Sequence, residues 1–380
     1  ARLDPSTAAQ IARLRAAEAA ILQAGVRPTA AVGLELENFA GSGPNSMFDR
    51  AEATLSYERR LERGGKREAR TRLAVAELDT ARLRAQVRRA DFLKEVQLAY
   101  AEALAAEAEL LIAEARLIAS VKSQSDIERR VRSARDPLFA GSRAEALTAQ
   151  AEIARDRARA AARTRKAVLA AYLELEADFS LQLEDFFDVQ APPIPAVDGN
   201  PDLALLQAER QAAEAAVRLA RTQDVADPTV RAGLRYTREG SDVALVVGGS
   251  IPLGAAAANR PNVARAAAEA AAAEQDVAAA RLIRQRRATQ LRAHLAALAA
   301  EAEQIRTEVI PHALRTFDQV IEGFNRGGFQ YIDVTEAERA LADTRARPVA
   351  VLREFHTTMA ELDRLTGAHA ALADLIEERP

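Results

Sequence analysis

The feature that most limits this chain is a helical pattern that runs far longer than a globular domain needs. From Gly64-Gly65-Lys66-Arg67 to about Arg135 the residues keep helical rhythm almost unbroken. Roughly 70 residues at 1.5 Å each make a rod of about 100 Å. Leu73, Leu83, Val87, Phe92, Val96, Leu104, Leu111 and Leu117 punctuate it, with alanines between them. A second stretch from Asn262 to Asn325 is about as long. Small residues at the seam positions let such helices approach closely, as knobs into holes or ridges into grooves. The composition fits rods rather than one large core: alanine carries much of the 49% hydrophobic content, aromatics are 4% and tryptophan is absent.

An internal repeat organises the rest. Arg27-Pro28-Thr29-Ala30-Ala31-Val32-Gly33-Leu34 has a counterpart in Asp227-Pro228-Thr229-Val230-Arg231-Ala232-Gly233-Leu234. Each copy follows a helical segment (7–24 and 202–224) and precedes a second strand-like stretch, a long helical stretch, a break and another helix. The expected organisation is therefore a first repeat over 1–190, with strands at about 28–39 and 51–62 and a helical hairpin over 64–180. A second repeat covers 202–367, with strands at about 229–238 and 242–253 and a hairpin over 262–365. A proline-rich connector (191–201) joins them, a C-terminal tail covers 368–380, and the whole reads as one intertwined domain.

The four strands alternate. Val32, Leu34 and Leu36 are interleaved with Gly33, Glu35 and Glu37; Ala53, Leu55, Tyr57 and Leu61 with Glu52, Thr54, Ser56 and Glu58. Val230, Ala232, Leu234 and Tyr236 alternate with Arg231, Gly233, Arg235 and Thr237, while Val243, Leu245, Val247, Gly249, Ile251 and Leu253 share one face of the last. Alternation alone fits either a half-buried soluble sheet or tilted membrane strands. Two hairpins cannot close a barrel, but three copies of the chain supply twelve strands, which can.

The remaining classes thin out quickly. A net charge of −3 gives no reason to expect binding to nucleic acid or to an anionic membrane surface. The absence of cysteine removes disulfides, thiolate catalysis and thiolate metal sites. No stretch of about 18 apolar residues is present, so no transmembrane helix is expected. ARLDPSTAAQ carries no signal-peptide pattern, which leaves targeting unread.

In this order the segments resemble the TolC-like outer-membrane efflux factors. GLELENFAGSGP (33–44), GGKREAR (64–70), SIPL (250–253), DPLFAGSRAEALTAQAEIA (136–154) and GFNRGGFQYIDVTEAERAL (323–341) are similar to the heavy-metal branch, the cobalt–zinc–cadmium resistance type. The resemblance covers the chain from about residue 10 to 367. It implies a mainly α chain with a small β part: two tandem strand–strand–hairpin repeats that, as a homotrimer, form a twelve-stranded barrel in the outer membrane of a Gram-negative bacterium. A periplasmic α-helical barrel continues it. It also implies a passive exit duct for heavy-metal cations or drugs, opened at its periplasmic tips by an adaptor protein and an inner-membrane resistance–nodulation–division (RND) pump, with outer-membrane lipid around it. A lipid-spanning sheet must close on itself, and threefold symmetry can close it.

The chain departs from the family pattern in places. Arg60 and Arg63 stand where a proline and a hydrophobic residue usually precede GGKR, and residues 254–258 read GAAAA in place of a Pro/Phe/Asp-containing turn. Pro348 in the final helix is expected to kink it. The family's frequent lipidated N-terminal cysteine is not in this chain. Other readings are a periplasmic adaptor, which has one hairpin set within a lipoyl-like domain, and a soluble coiled-coil scaffold, which has no use for four alternating strands.

No cofactor or catalytic residue is expected. Gly64-Gly65-Lys66-Arg67 lacks phosphate-loop spacing and reads as a strand-to-helix joint. His294, His312, His356 and His369 include no i, i+4 pair, so no metal site is assigned; His356 with Glu354 is at most a weak surface contact.

Function is expected at the hairpin tips. Arg135, Asp136, Pro137, Leu138, Phe139, Gly141 and Ser142 break the first helical run, and Arg326, Gly327, Gly328 and Phe329 the second. Glycine permits positive φ at a reversal, and Asp136-Pro137 stops the incoming helix. The tips could be plain corners; the resemblance makes them the mouth that meets the adaptor. It also places Asp333 and Glu336 on two acidic positions that line the closed aperture, with Glu145 in the matching place after the first tip. At i, i+3 the pair shares a helix face, and threefold symmetry makes a ring of carboxylates that favours cations. The alternative is that they are first-turn acids complementing the helix dipole.

Overall fold

A computed structural model describes residues 6–43, 48, 50–193 and 197–369. In order the elements are α1 (Thr7–Ala24), β1 (Ala30–Glu37), β2 (Glu52–Arg60), α2 (Lys66–Arg132), α3 (Leu138–Leu173) and α4 (Glu184–Phe187). Then come α5 (Pro201–Thr222), β3 (Thr229–Thr237), β4 (Asp242–Ser250), α6 (Ala255–Gln304), a π-helical turn (Ile305–Val309), α7 (Ile310–Asn325) and α8 (Tyr331–Thr366). The expected order of elements is present twice. Pro44 of the strand-loop motif, part of the connector and most of the tail lie outside the described residues.

The compact units are not the two repeats. One unit takes residues 6–85 and 202–280, and the other 86–201 and 281 onward, so each draws on both copies. Within the first, the strands form one antiparallel sheet in the order β1-β2-β3-β4. The β2–β3 seam joins hairpins that lie far apart in sequence. Leu34, Leu55, Leu234 and Leu245 are consecutive partners across it, as are Val32, Tyr57, Ala232 and Val247.

The second unit is helical. Ala101, Ala103, Ala105, Ala106 and Ala108 of α2 are buried, where small side chains let helices pack closely. Around them Leu104, Phe186, Leu295, Val349, Leu352 and Phe355 form the main core. His356 is not a partner of Glu354. Residues two apart on a helix point apart, and the His356 Nε2 lies 3.0 Å from the Phe186 carbonyl oxygen, its ring stacked on Phe186. Burial lowers its pKa, although the Phe186 contact opposes this. Glu354 instead meets His294 at 2.9 Å.

The start of α6 differs from expectation. α6 begins at Ala255, seven residues before Asn262, because the alanine run 255–258 has high helix propensity and carries the helix on through Pro261. α8 likewise continues through Pro348, which is buried.

Candidate functional site

The sheet shows its character in which side chains face water. Val32, Leu34, Leu36, Leu55, Tyr57, Val230, Leu234, Tyr236, Val243, Leu245 and Val247 lie on one face and all are exposed, Leu245 and Val247 at 73%. A soluble sheet would bury that face, because exposed apolar patches of this extent are rare on monomeric soluble proteins. The opposite face carries charge. Arg231 reaches Glu58 at 3.0 Å and Glu35 at 3.9 Å, and Arg235 reaches Glu52 at 2.9 Å and Glu37 at 3.1 Å. Both arginines sit on β3 and span two strands, so they pin the register of the seam between the repeats. Thr54 accepts a further bond from Arg235 at 3.0 Å. Asp242 belongs to the same row as Glu37, Glu52 and Thr237, which leaves this face with more carboxylates than arginines.

Asp227 sits where the strands give way to the long helices. It is buried between Lys66 at 2.8 Å and Arg60 at 3.0 Å, and it accepts the Arg63 amide at 3.0 Å. Lys66 also donates to the Val225 carbonyl at 2.6 Å. Arg70 adds bonds to Glu62 and to the carbonyls of Ala24 and Val26. The GGKR segment is therefore a structural clamp, and the unusual Arg60 takes part in it.

The hairpin tips share one backbone design. At the second tip the Gly328 amide donates to the Gly323 carbonyl (2.9 Å) and the Gly327 amide to that of Phe324 (3.0 Å), a Schellman motif with Gly327 at φ 84°. The Phe329 ring lies so close over Gly323 that a Cβ there would overlap it. At the first tip Arg135 bonds back to Arg130 and Ala134 to Val131, and here alanine takes the left-handed position at φ 56°. Gly141 and Ser142 are not turn residues. They belong to the first turns of α3, and the reversal is complete by Pro137. Gly328 likewise does not use positive φ.

The two tips pack together within the helical unit. Ile127, Ala140, Ala144, Phe324 and Val334 form a buried cluster. Arg130 pairs with Asp136 and places its guanidinium 4.1 Å from the Phe324 ring centroid. Leu138 (83% exposed), Phe139 and Phe329 project from this base into solvent, as do Arg135 and Arg326.

The acidic residues past the tips are not equivalent. Asp333 is half-buried and closes a capping box: its Oδ2 accepts the Gln330 amide at 2.8 Å. Glu336 is exposed on the next turn. Counted from the helix starts at Leu138 and Tyr331, Glu145 matches Glu338, while Asp333 and Glu336 match Ala140 and Arg143. On this count Glu145 does not correspond to either member of the Asp333/Glu336 pair. Glu338 is the acid that the sequence did not single out. It lines a cavity of about 430 Å³ with Tyr331, Ser123 and Phe324, and burial raises its pKa against the opposing charge of Arg116. Among the described residues no group of three or more His, Asp or Glu could hold a metal ion.

A four-stranded sheet with one exposed apolar face and one charged face, between long helices along the chain, is the pattern expected of an outer-membrane efflux channel protomer. The chain matches, over residues 195–368, the family model described as outer membrane efflux protein. It is 25% identical over 313 residues to the cobalt-zinc-cadmium resistance protein CzcC of Cupriavidus metallidurans, covering 81% of this chain and 75% of that protein. Solved structures share the fold. The outer membrane protein VceC of Vibrio cholerae has a TM-score of 0.72 at 20% identity, covering 96% of this chain and 93% of that one. For the transmembrane channel CusC the TM-score is 0.73 at 15% identity, covering 96% and 89%. The open-state outer membrane channel MtrE of Neisseria gonorrhoeae gives 0.69 at 16%, covering 96% and 86%.

Proposed function

We propose that the chain is the exit duct of a tripartite pump for heavy-metal cations. Three copies would close a twelve-stranded barrel and work with a periplasmic adaptor and an inner-membrane RND pump. The observation that carries this reading is the sheet. Its apolar face is exposed, its outer strands β1 and β4 each pair on one side only among the described residues, and its other face is rich in carboxylates. An unpaired strand edge cannot face lipid, so further copies must complete the sheet. Carboxylates inside a wide barrel attract cations without holding them, and a duct needs this more than a tight site. The similarity to the cobalt-zinc-cadmium resistance protein supports heavy-metal cargo. The test is growth of a deletion strain on a panel of divalent metals with and without the protein, alongside membrane fractionation and cross-linking. Restored resistance, with a trimer in the outer membrane, is expected. A soluble monomer, or a trimer that restores resistance to no metal, overturns the reading.

The aperture is assigned to Asp333 and Glu336, with the exposed tip residues Leu138, Phe139 and Phe329 meeting the adaptor. Because Asp333 also caps α8, alanine there mixes charge with helix stability. Asp333→Asn with Glu336→Gln removes the charge while leaving an acceptor for the Gln330 amide. In planar bilayers this pair of changes is expected to weaken divalent-cation block by roughly severalfold. Unaltered block and conductance would place the constriction elsewhere.

A further inference from the structure

A cavity of about 420 Å³ opens at the strand-to-helix joint, lined by Arg27, Arg59, Arg60, Glu62, Lys66, Arg67 and Glu68 among others. Most of its charges are already matched: Lys66 and Arg60 to Asp227, Glu62 to Arg70, and Glu68 to Arg72 at 2.6 Å. That leaves Arg27, Arg59 and Arg67, none of which has a carboxylate partner among the described residues. Arg59 stands on the apolar face of the sheet. It pairs with Ala30 and Val230 and follows Leu55 and Tyr57 at strand spacing. A guanidinium there interrupts the apolar face between Tyr57 and the exposed Leu61, at the end where the long helices begin. No acid from the neighbouring joint answers it, because the stretch 251–258 that leaves β4 at this same end reads IPLGAAAA.

We propose that this cavity binds the phosphate of an anionic glycerophospholipid in the periplasmic leaflet, its acyl chains lying along the apolar sheet face. The inference rests on the outer-membrane reading above. Continuity selects a lipid over free phosphate, since the cations share their cavity with exposed Leu61 and stand beside the apolar sheet face. Guanidinium groups bind phosphate oxygens in a forked, directional manner, and three unmatched ones supply the charge.

The experiment uses the purified channel in vesicles and detergent. Native mass spectrometry should show phosphatidylglycerol retained in preference to phosphatidylcholine. Arg27→Gln/Arg59→Gln/Arg67→Gln should lose that preference, by on the order of fivefold for each arginine. Arg67→Gln alone, at an exposed helix position, gives a smaller loss without risk to folding, and retention of the trimer band checks assembly. Equal retention of both lipids by the wild type, or undiminished preference in the variants, overturns the proposal. So does displacement of phosphatidylglycerol by millimolar inorganic phosphate, which would mark a free-anion site. If the protein inserts into neither kind of vesicle, the channel reading falls and this proposal with it. Insertion into both without preference overturns only the lipid site.

Discussion

Replacing Leu234 with arginine is expected to abolish assembly in the outer membrane. Leu234 lies between Leu55 and Leu245 in the row of four leucines that crosses the sheet, and its side chain is exposed. Arginine on the lipid face near the bilayer midplane costs about 2–4 kcal/mol. Threefold symmetry repeats that cost, giving roughly 6–12 kcal/mol against a typical total stability of about 5–15 kcal/mol. The measurement is the amount of heat-resistant trimer in the outer-membrane fraction. Ser56→Lys is the matched control. Ser56 lies on the charged face, with Gly33 and Gly233 on either side, and these leave room for a longer side chain. It is expected to assemble normally and to lower cation selectivity. Normal assembly of Leu234→Arg would show that this face does not meet lipid.

Removing Asp227 should be the most damaging change outside the sheet. Lys66 and Asp227 have side chains only 6% and 4% exposed. In Asp227→Ala the Lys66 ammonium stays buried with the Val225 carbonyl as its remaining partner, and breaking a buried pair in this way costs about 3–5 kcal/mol. Replacing both partners, as Lys66→Met/Asp227→Leu, should recover much of the loss, since apolar isosteres of a buried pair are often neutral. The pH dependence has a definite sign. Burial by itself raises the Asp227 pKa. The Lys66 hydrogen bond, the Arg63 amide and the charges of Lys66 and Arg60 outweigh it, and on balance the pKa is lowered from the ordinary carboxylate value. A depressed carboxylate contributes fully above its unfolded pKa and loses that contribution as pH falls through the folded value. Thermal melts should therefore separate wild type and Asp227→Ala widely at pH 7, and the gap should close below about pH 4. A constant gap across that range would show that the charge of Asp227 is not what stabilises the joint.

Much of the architecture was legible because it is periodic. Period-two alternation marked all four strands, and the helical run of 66–132 carries no interior glycine or proline to stop it. Gly327 was legible too, since its left-handed φ suits a residue without a Cβ. The first tip was harder. Ala134 holds the equivalent conformation, and no local signal separates it from the alanines of the helix before it. The glycine that stands nearby, Gly141, misleads because it lies beyond the turn. The partners of His356 and Asp333 were hidden for different reasons. The first bonds to Phe186, far away in sequence. The second closes a capping box whose existence depends on where α8 begins.

By itself the sequence determined the order of elements, the duplication and the two-faced character of every strand. These follow from local propensity and from spacing along the chain. Only the tertiary structure decided which strands adjoin, that β3 arginines tie the two repeats together, and that Lys66 of one repeat neutralises Asp227 of the other. It also decided that three arginines at the joint remain unmatched. Whether a charge is buried, paired or free depends on residues brought together from distant positions, and spacing along a single chain carries no record of that.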